Sequence, residues 1–249
     1  LKLPFLLRLP IRVFAGVIKP KRIQVLGQEF SGVVSEIGRN VTRFKPGDEV
    51  FGTSGFGKGT YAEYIVIPES PGEMEGALAL KPENSATEES AAVPLGGFEA
   101  LHFLRLGGLS EADRTEVKSI LINGAGGSIG TYGVQLAKHF GAEVTAVDRG
   151  EKLDMLRSIG ADRVIDYRET DYTKSPETYD IIFDVVGRRW VRDAVKRLNE
   201  NGAYLLANPK ISQLISSKRT AQKHGRKIIT GAAKHTPGDL LYLKHLIEN

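Results

Sequence analysis

The sequence predicts an α/β fold in which a doubly wound parallel sheet follows a smaller β-rich domain. From Ile120 to Ile229, six short apolar runs alternate with segments of helical periodicity. Near-continuous apolar strands separated by helices are typical of a parallel sheet covered on both faces. Before residue 95, shorter strand-like segments are separated by glycine and proline turns, which is typical of a small barrel. We therefore place the domain boundary between residues 95 and 96, with domains 1–95 and 96–249.

The composition bounds the class of protein. The chain has 249 residues, 41% of them hydrophobic and 26% charged, which suits one large or two modest globular domains. The net charge of +4 is spread along the chain and does not indicate nucleic-acid binding. The densest basic stretch, Lys218–Lys227, is interpreted as a solvated surface.

Two further observations concern location. The chain contains no cysteine, which excludes disulfides and cysteine-ligated metal and favours a reducing compartment. The apolar run Phe5–Val17 is interrupted by Arg8, Pro10 and Arg12, so it is too broken to span a membrane. We predict a cytoplasmic protein.

In the first domain, residues 1–26 suggest an amphipathic helix followed by a basic link. Ser85 and Glu88 match a capping box that opens a helix, and Pro94 is expected to divide this helix in two. The predicted strands are Phe30–Ile37, Glu49–Phe51, Tyr61–Ile67 and Leu78–Leu80.

In the second domain, a helix with its apolar residues at Val191, Val195 and Leu198 is expected to end at Gly202. The predicted strands are Ile120–Ile122, Val144–Val147, Val164–Ile165, Ile181–Val186, Tyr204–Ala207 and Ile228–Ile229.

A glycine-rich turn follows the first strand of the second domain. It contains Gly124, Gly126, Gly127 and Gly130, and helical periodicity begins at Ile129. Glycine permits a sharp turn and a close approach of bare backbone to a ligand. The first N–H groups of the helix, from Ser128 onward, have no partner within it and lie at its positive end. A strand, a glycine turn and a helix in this order predict a dinucleotide-binding site.

The next strand ends on an acid, Asp148, at the position where a carboxylate accepts ribose hydroxyls and favours NAD(H). Arg149 and Lys152 lie close by and would attract the 2′-phosphate of NADP(H) instead. Both cofactors stay open at this point. The residues after two later strands, Val186-Gly187 and Ala207-Asn208, fall at the same edge of the predicted sheet and are expected beside the nicotinamide.

The motifs resemble the medium-chain dehydrogenase/reductase superfamily, in particular its zinc-independent quinone-oxidoreductase-like (zeta-crystallin-like) branch. The segments that carry the resemblance are GQEFSGVVSEIGRNVTRFKPGDEVFG, AAVPLGGFEALHFL, LINGAGGSIGTYGVQLAKHFGAEV, LRSIGADRVIDY and YDIIFDVVG. The resemblance implies a partial GroES-like catalytic domain, a Rossmann nucleotide domain and hydride transfer. It also implies an adenosine contact at Tyr167 and a homodimer formed through the Rossmann domain. Family members extend beyond both ends of this chain, so we expect a fragment.

The chain departs from the zinc-dependent members of the superfamily. Those enzymes have a histidine where this chain has Gln28, and a carboxamide is a poor zinc ligand. Cysteine ligands are absent, and the five histidines do not cluster at ligand spacing (His102, His139, His224, His235 and His245). We predict a reaction without zinc.

These residues predict an NAD(P)H-dependent oxidoreductase that acts on a small-molecule quinone, activated alkene or reactive carbonyl. Tyr61 and Glu99 are the candidates for a catalytic acid. Because no residue is an obvious catalytic acid, a non-catalytic nucleotide-binding sensor or structural protein of the same fold is the alternative. A methyltransferase on the same type of sheet is disfavoured, since such enzymes lack the preceding β-rich domain.

Overall fold

The structure is a computed structural model that describes residues 25–249 except 56–58, 73–74, 114–115, 188–190, 211–212, 214–216, 218–219 and 222–224. The amphipathic helix predicted within residues 1–26 lies almost entirely outside the described residues. The chain forms two compact units. One contains the residues up to Leu95 together with Lys234–Asn249, and the other contains Gly96–Ala233.

The first unit is built on a three-stranded antiparallel sheet in the order β1-β2-β3. The strands are β1 (Glu29–Val33), β2 (Glu49–Thr53) and β3 (Ala77–Leu80). A small apolar core of Phe44, Val50 and Leu78 packs on this sheet. Each of these strands overlaps a predicted one, with bounds that differ by up to four residues, because apolar residues and flanking turns mark them in the sequence.

The fourth strand predicted in this unit, Tyr61–Ile67, is wrong. The segment is an irregular loop, and Tyr61, Tyr64 and Val66 are 79%, 77% and 83% exposed. Aromatic and β-branched residues form a strand only when a neighbouring strand completes the hydrogen-bond ladder. Among the described residues, no strand pairs with this segment.

Two helices follow β3, α1 (Thr87–Ala91) and α2 (Pro94–Leu106). The prediction that Pro94 divides the helix is confirmed. The capping box is displaced by one residue from the predicted pair, since the N–H of Ala86 donates to Glu89 Oε2 at 2.9 Å. Ser85 instead accepts a hydrogen bond from the hydroxyl of Ser90 at 3.0 Å.

The last helix, α6 (Pro237–Glu248), packs with the first unit, although the sequence places it in the second domain. Leu240 is fully buried, and the helix contacts β3. Asn84 Nδ2 donates to the carbonyl of Ile247 at 2.7 Å, and the N–H of Glu83 donates to Glu248 Oε1 at 3.0 Å. The sequence places α6 by chain order, but its contacts are with residues more than 160 positions earlier.

The second unit contains a six-stranded parallel sheet in the order β6-β5-β4-β7-β8-β9. This is the order of a doubly wound sheet, whose direction of winding reverses at β4, and the predicted fold class is confirmed. The strands are β4 (Ser119–Asn123), β5 (Glu143–Asp148), β6 (Arg163–Asp166), β7 (Tyr179–Asp184), β8 (Leu198–Leu206) and β9 (Lys227–Thr230). The helices between them are α3 (Ser128–His139), α4 (Leu153–Ser158) and α5 (Val191–Ala194).

Both faces of the sheet are covered. On one face, Gly133 of α3 lies against Ile122 and Phe183, and Phe103 of α2 stacks on Phe183 with ring centroids 5.6 Å apart. The other face carries a separate buried cluster. Its members are Leu121, Val147, Tyr172, Tyr179, Ile182, Val191, Ala194, Val195, Leu198, Tyr204 and Leu206.

The helix predicted from Val191 to Gly202 is shorter than expected. It ends at Ala194 and continues as a 3₁₀ turn over Val195–Arg197. Leu198 begins β8 instead, where it pairs with Tyr179 and is 2% exposed. The apolar spacing is right for a helix, but Leu198 is buried equally well from a strand. Sheet pairing decides between the two.

Within the part of the chain that the structure describes, no helix is both long and apolar enough to cross a membrane.

The placement of α6 gives a testable prediction. Leu240→Ala removes a fully buried side chain, so it should destabilise the first unit by about 2–5 kcal/mol, whereas Leu241→Ala, at a position 48% exposed, should change little. Amide hydrogen exchange in the Leu240→Ala protein should rise in β3 and stay unchanged in β4–β9. Faster exchange in the six-stranded sheet, with β3 unaffected, would show that α6 stabilises the other unit.

Candidate functional site

The candidate site lies at the carboxyl edge of the six-stranded sheet, where β4 leads into α3. Gly124 turns the chain with a φ of +86°, a backbone conformation that residues with a Cβ rarely adopt. Its N–H donates to the carbonyl of Val147 at 2.9 Å, so the turn stays attached to the neighbouring strand. Gly130 allows close packing, because a Cβ there would lie 2.3 Å from the carbonyl oxygen of Gly124.

The first turn of α3 offers free backbone donors. Gly127 is the N-cap residue, and no side chain caps the helix there. The first N–H groups of an α-helix have no partner inside it, and here they belong to Ser128, Ile129 and Gly130. Gly127 and Ser128 are exposed and Ile129 is half-buried. Uncapped N–H groups at the positive end of a twelve-residue helix fit an anionic pyrophosphate.

The structure brings Asp148 directly to this turn. Its Oδ2 accepts the N–H of Gly126 at 2.7 Å, and its Oδ1 accepts the N–H of Arg149 at 2.8 Å. The residue is 8% exposed. The sequence gives Asp148 the role of a ribose acceptor, whereas in the structure both of its oxygens already accept backbone N–H groups.

Cationic side chains lie beside the same turn. Lys152 Nζ donates to the carbonyl of Gly126, and Arg149 is exposed immediately after β5. Tyr167 follows β6 and is 43% exposed, and its N–H donates to the carbonyl of Asp148 at 3.2 Å. The residues predicted for the adenosine half therefore cluster around the ends of β5 and β6.

The residues predicted for the nicotinamide half follow β7 and β8 and contact one another. Asn208 Nδ2 donates to the carbonyl of Val185 at 2.9 Å. The N–H of Ala207 donates to the carbonyl of Asp184 at 3.1 Å, and Gly187 has a φ of +63°. A Cβ on Gly124 would meet a methyl group of Val186 at 2.4 Å, so this loop lies against the glycine turn.

Three polar residues at this edge are absent from the sequence-based site. Asp184 Oδ1 accepts from Asn123 Nδ2 at 2.8 Å, and its Oδ2 accepts from the hydroxyl of Tyr204 at 2.6 Å. The N–H groups of Val186 and Gly187 also donate to Oδ1, at 3.1 and 2.9 Å. Sequence reasoning extends the strand through Ile181–Val186 and so misses the acid at its end. The signal was available, because Asp184 ends its strand as Asp148 does.

Burial and charge determine that Tyr204 is the donor in its hydrogen bond with Asp184. Burial raises the pKa of the Tyr204 hydroxyl well above its usual value, and the negative charge of Asp184 raises it further. The hydroxyl therefore stays protonated at neutral pH and donates to Asp184.

The two candidate acids lie in different units. Glu99 belongs to α2 and is half-buried, and burial raises its pKa, although the N–H of Ala233 donates to it and opposes the rise. Gly96, one turn earlier, lies against Ser128 of the glycine turn, and Ala233 follows β9, so Glu99 is near the carboxyl edge. Tyr61 lies in the exposed loop of the first unit.

Gln28, at the position that is histidine in zinc-dependent relatives, donates from Nε2 to the carbonyl of Gly55 at 3.1 Å. Within the described ranges, no group of three or more His, Asp or Glu side chains could hold a metal ion.

Known families match both parts of the chain. The family described as an alcohol dehydrogenase GroES-like domain matches residues 9–71, and the family described as a zinc-binding dehydrogenase matches residues 128–240. The GroES-like domain expected from the resemblance is therefore confirmed.

Individual relatives agree with these matches. A 2-methylene-furan-3-one reductase from Solanum lycopersicum is 37% identical over 193 residues, which are 73% of this chain and 46% of that protein. A chloroplastic NADPH-dependent alkenal/one oxidoreductase from Arabidopsis thaliana is 38% identical over 190 residues, or 72% of this chain and 45% of that protein. The chain spans about half the length of these relatives.

Solved structures have the same architecture. The quinone oxidoreductase from Coxiella burnetii superposes with a TM-score of 0.73 at 26% identity, over 90% of this chain and 67% of that one. The parallel sheet, the glycine turn and the matches over both parts of the chain lead to one conclusion: the chain belongs to the medium-chain dehydrogenase/reductase superfamily.

Proposed function

We propose that the protein is an NAD(P)H-dependent oxidoreductase that transfers hydride to a quinone, an activated alkene or a reactive carbonyl compound. One observation carries the proposal: a glycine turn and uncapped helix N-terminus lie beside Asp148 at the carboxyl edge of a doubly wound sheet. The names of the relatives, which include an alkenal/one oxidoreductase and a quinone oxidoreductase, support this choice of substrates. Because the chain spans about half of such proteins, the activity concerns the whole protein.

Each part of the site has a task in this proposal. The N–H groups of Ser128 and Ile129 bind the pyrophosphate, since they are free and at the positive end of α3. The side chains of Arg149 and Lys152 bind the adenosine half, with Tyr167 against the base. The loops at Val186-Gly187 and Ala207-Asn208 orient the nicotinamide, which supplies the hydride when it is bound.

The reaction proposed is independent of zinc. Gln28 is a poor ligand and already donates its amide hydrogen to Gly55, and the chain offers no cysteine. In the absence of a metal, the substrate carbonyl requires hydrogen-bond donors for polarisation and a proton source after hydride addition. Glu99 is the better of the two candidate acids, because burial keeps its pKa above the usual value of a glutamate. Tyr61 lies in an exposed loop, where burial does not favour a role as an acid.

For the cofactor, we propose NADPH over NADH. The carboxylate that would repel a 2′-phosphate accepts two backbone N–H groups, which offset part of its charge. Arg149 is exposed next to it and presents a cation that a phosphate would attract. The Arabidopsis relative is named as NADPH-dependent, which agrees.

The cytoplasmic location and the homodimer stay predictions. The name of the Arabidopsis relative places that protein in the chloroplast.

The proposed activity has a direct test. Titration of the purified protein with NADPH should quench protein fluorescence and raise the melting temperature, and an α,β-unsaturated ketone or a quinone should then oxidise the NADPH. Binding without turnover of any such acceptor would favour the non-catalytic nucleotide-binding alternative. If neither NADPH nor NADH binds at millimolar concentration, the proposal fails.

The proposed preference for NADPH rests on Arg149. Arg149→Ala should lower the affinity for NADPH at least about tenfold, because a hydrogen bond to a charged group contributes about 1.5–3 kcal/mol. The affinity for NADH should stay within about twofold of wild type. Lys196→Ala is the matched control. It removes the same charge just before β8 begins, at the opposite edge of the sheet. An equal loss of affinity for both cofactors, or the same selective loss in Lys196→Ala, would contradict the assignment.

A further inference from the structure

We propose that Asp184 is a positioning residue for the nicotinamide half of the cofactor, because its buried carboxylate holds the loop 185–187 against the glycine turn. The inference rests on the proposed function, since it concerns the same cofactor. Asp184 itself is fully buried, so it acts through the backbone of its own loop.

The carboxylate joins three adjacent strands at one point. Asp184 ends β7, Asn123 ends β4 and pairs with Asp184 in register, and Tyr204 comes from β8. Their hydrogen bonds to the carboxylate are 2.8 Å and 2.6 Å long. The three strands therefore cannot shift at this edge without breaking a buried hydrogen bond, which is costly.

The same carboxylate shapes the loop that follows. Its Oδ1 accepts the N–H groups of Val186 and Gly187, which turns the chain sharply after β7. Gly187 also has a hydrogen bond to a residue outside this loop, since Gln213 Nε2 donates to its carbonyl at 2.7 Å. A Cβ on Gly187 would lie 2.6 Å from the carbonyl oxygen of Asn208, so this loop and the loop after β8 are in close contact.

The chemistry of the group also fits a positioning role. The four donors to Asp184 are uncharged, so the carboxylate is stabilised by hydrogen bonds from groups that are fixed in direction. A buried ion held in this way is sensitive to the geometry of its donors. The result is a rigid support under the backbone of Val186 and Gly187, beside Gly124.

The chain contains a matched control at the other end of the same strand. Asp180 Oδ2 accepts from the N–H and the hydroxyl of Ser119 at 2.8 and 2.9 Å, and its Oδ1 accepts from Asn199 Nδ2 at 2.7 Å. Asp180 thus joins β4, β7 and β8 as Asp184 does, but at the amino edge, away from the candidate site.

The test compares the whole cofactor with its adenosine half in the full chain. Affinities for NADPH and for adenosine 2′,5′-bisphosphate are measured in wild type, Asp184→Ala, Asp184→Asn and Asp180→Ala, together with melting temperatures. Asp184→Ala should lower the affinity for NADPH at least about tenfold, since the nicotinamide side loses its support. It should change the affinity for the bisphosphate by less than about twofold. Asp180→Ala should lower the melting temperature and leave both affinities within about twofold.

Asp184→Asn should stay close to wild type. Its oxygen can keep the three donors of Oδ1, and its new amide can donate to the Tyr204 hydroxyl, which turns to accept. If Asp184→Ala does not fold, Tyr204→Phe removes a single donor and should weaken NADPH by about threefold or more, again without an effect on the bisphosphate.

The outcomes separate the two proposals. If wild type binds neither compound, the proposed function fails. If wild type binds both, the positioning role is overturned by a variant that weakens both equally or neither, or by the same selective loss in Asp180→Ala.

Discussion

The carboxyl edge of the six-stranded sheet depends on a buried carboxylate that four uncharged donors satisfy. Asp184 lies on the face that also holds the apolar cluster of Leu121, Ile182 and Tyr204. An ion in such surroundings is costly unless it is hydrogen-bonded. Asn123, Tyr204 and two backbone N–H groups meet this demand, and in doing so they connect β4, β7 and β8 at this edge. The edge is therefore rigid before any ligand arrives.

A second carboxylate, Asp148, performs the corresponding task two strands away, at the end of β5. Asp148 accepts the N–H of Gly126, so the glycine turn is attached to the end of β5. Gly130 completes the arrangement by letting α3 approach the turn to a distance that no side chain would allow. The free N–H groups of α3 are thus presented to solvent in a fixed direction. Donors that are already in position bind a pyrophosphate without the free-energy cost of ordering the loop.

Sequence reasoning succeeded where one local pattern determines the structure. The apolar runs from Ile120 to Ile229 define the strands because a buried parallel strand needs no partner-specific pattern. The glycine turn was identified because its residues are dictated by backbone geometry. Pro94 divided a helix for the same reason: its ring forbids the preceding hydrogen bond.

The failures have a shared physical origin, which is that the deciding partner is distant in sequence. Tyr61–Ile67 has the composition of a strand, but a strand also requires a neighbour. Leu198 fits a helix and a strand equally well until Tyr179 pairs with it. The placement of α6 depends on Glu83 and Asn84, which precede it by more than 160 residues.

The same explanation applies to the candidate site. The sequence located Asp148 at the end of its strand, because strand ends are local. It did not give the direction of the carboxylate, which is set by the N–H of Gly126. Sequence reasoning misses Asp184 because it extends the strand past this residue to Val186, and because the four donors come from two other strands and the loop after β7.

The central claim is that the carboxyl edge of the sheet binds a nicotinamide dinucleotide in one orientation. A crystal structure of the protein with NADPH tests it most directly. We expect the pyrophosphate within hydrogen-bond distance of the N–H groups of Ser128 and Ile129, the 2′-phosphate at Arg149, and the nicotinamide beside Val186 and Gly187. A cofactor bound elsewhere, or in the reverse orientation along this edge, would contradict the account.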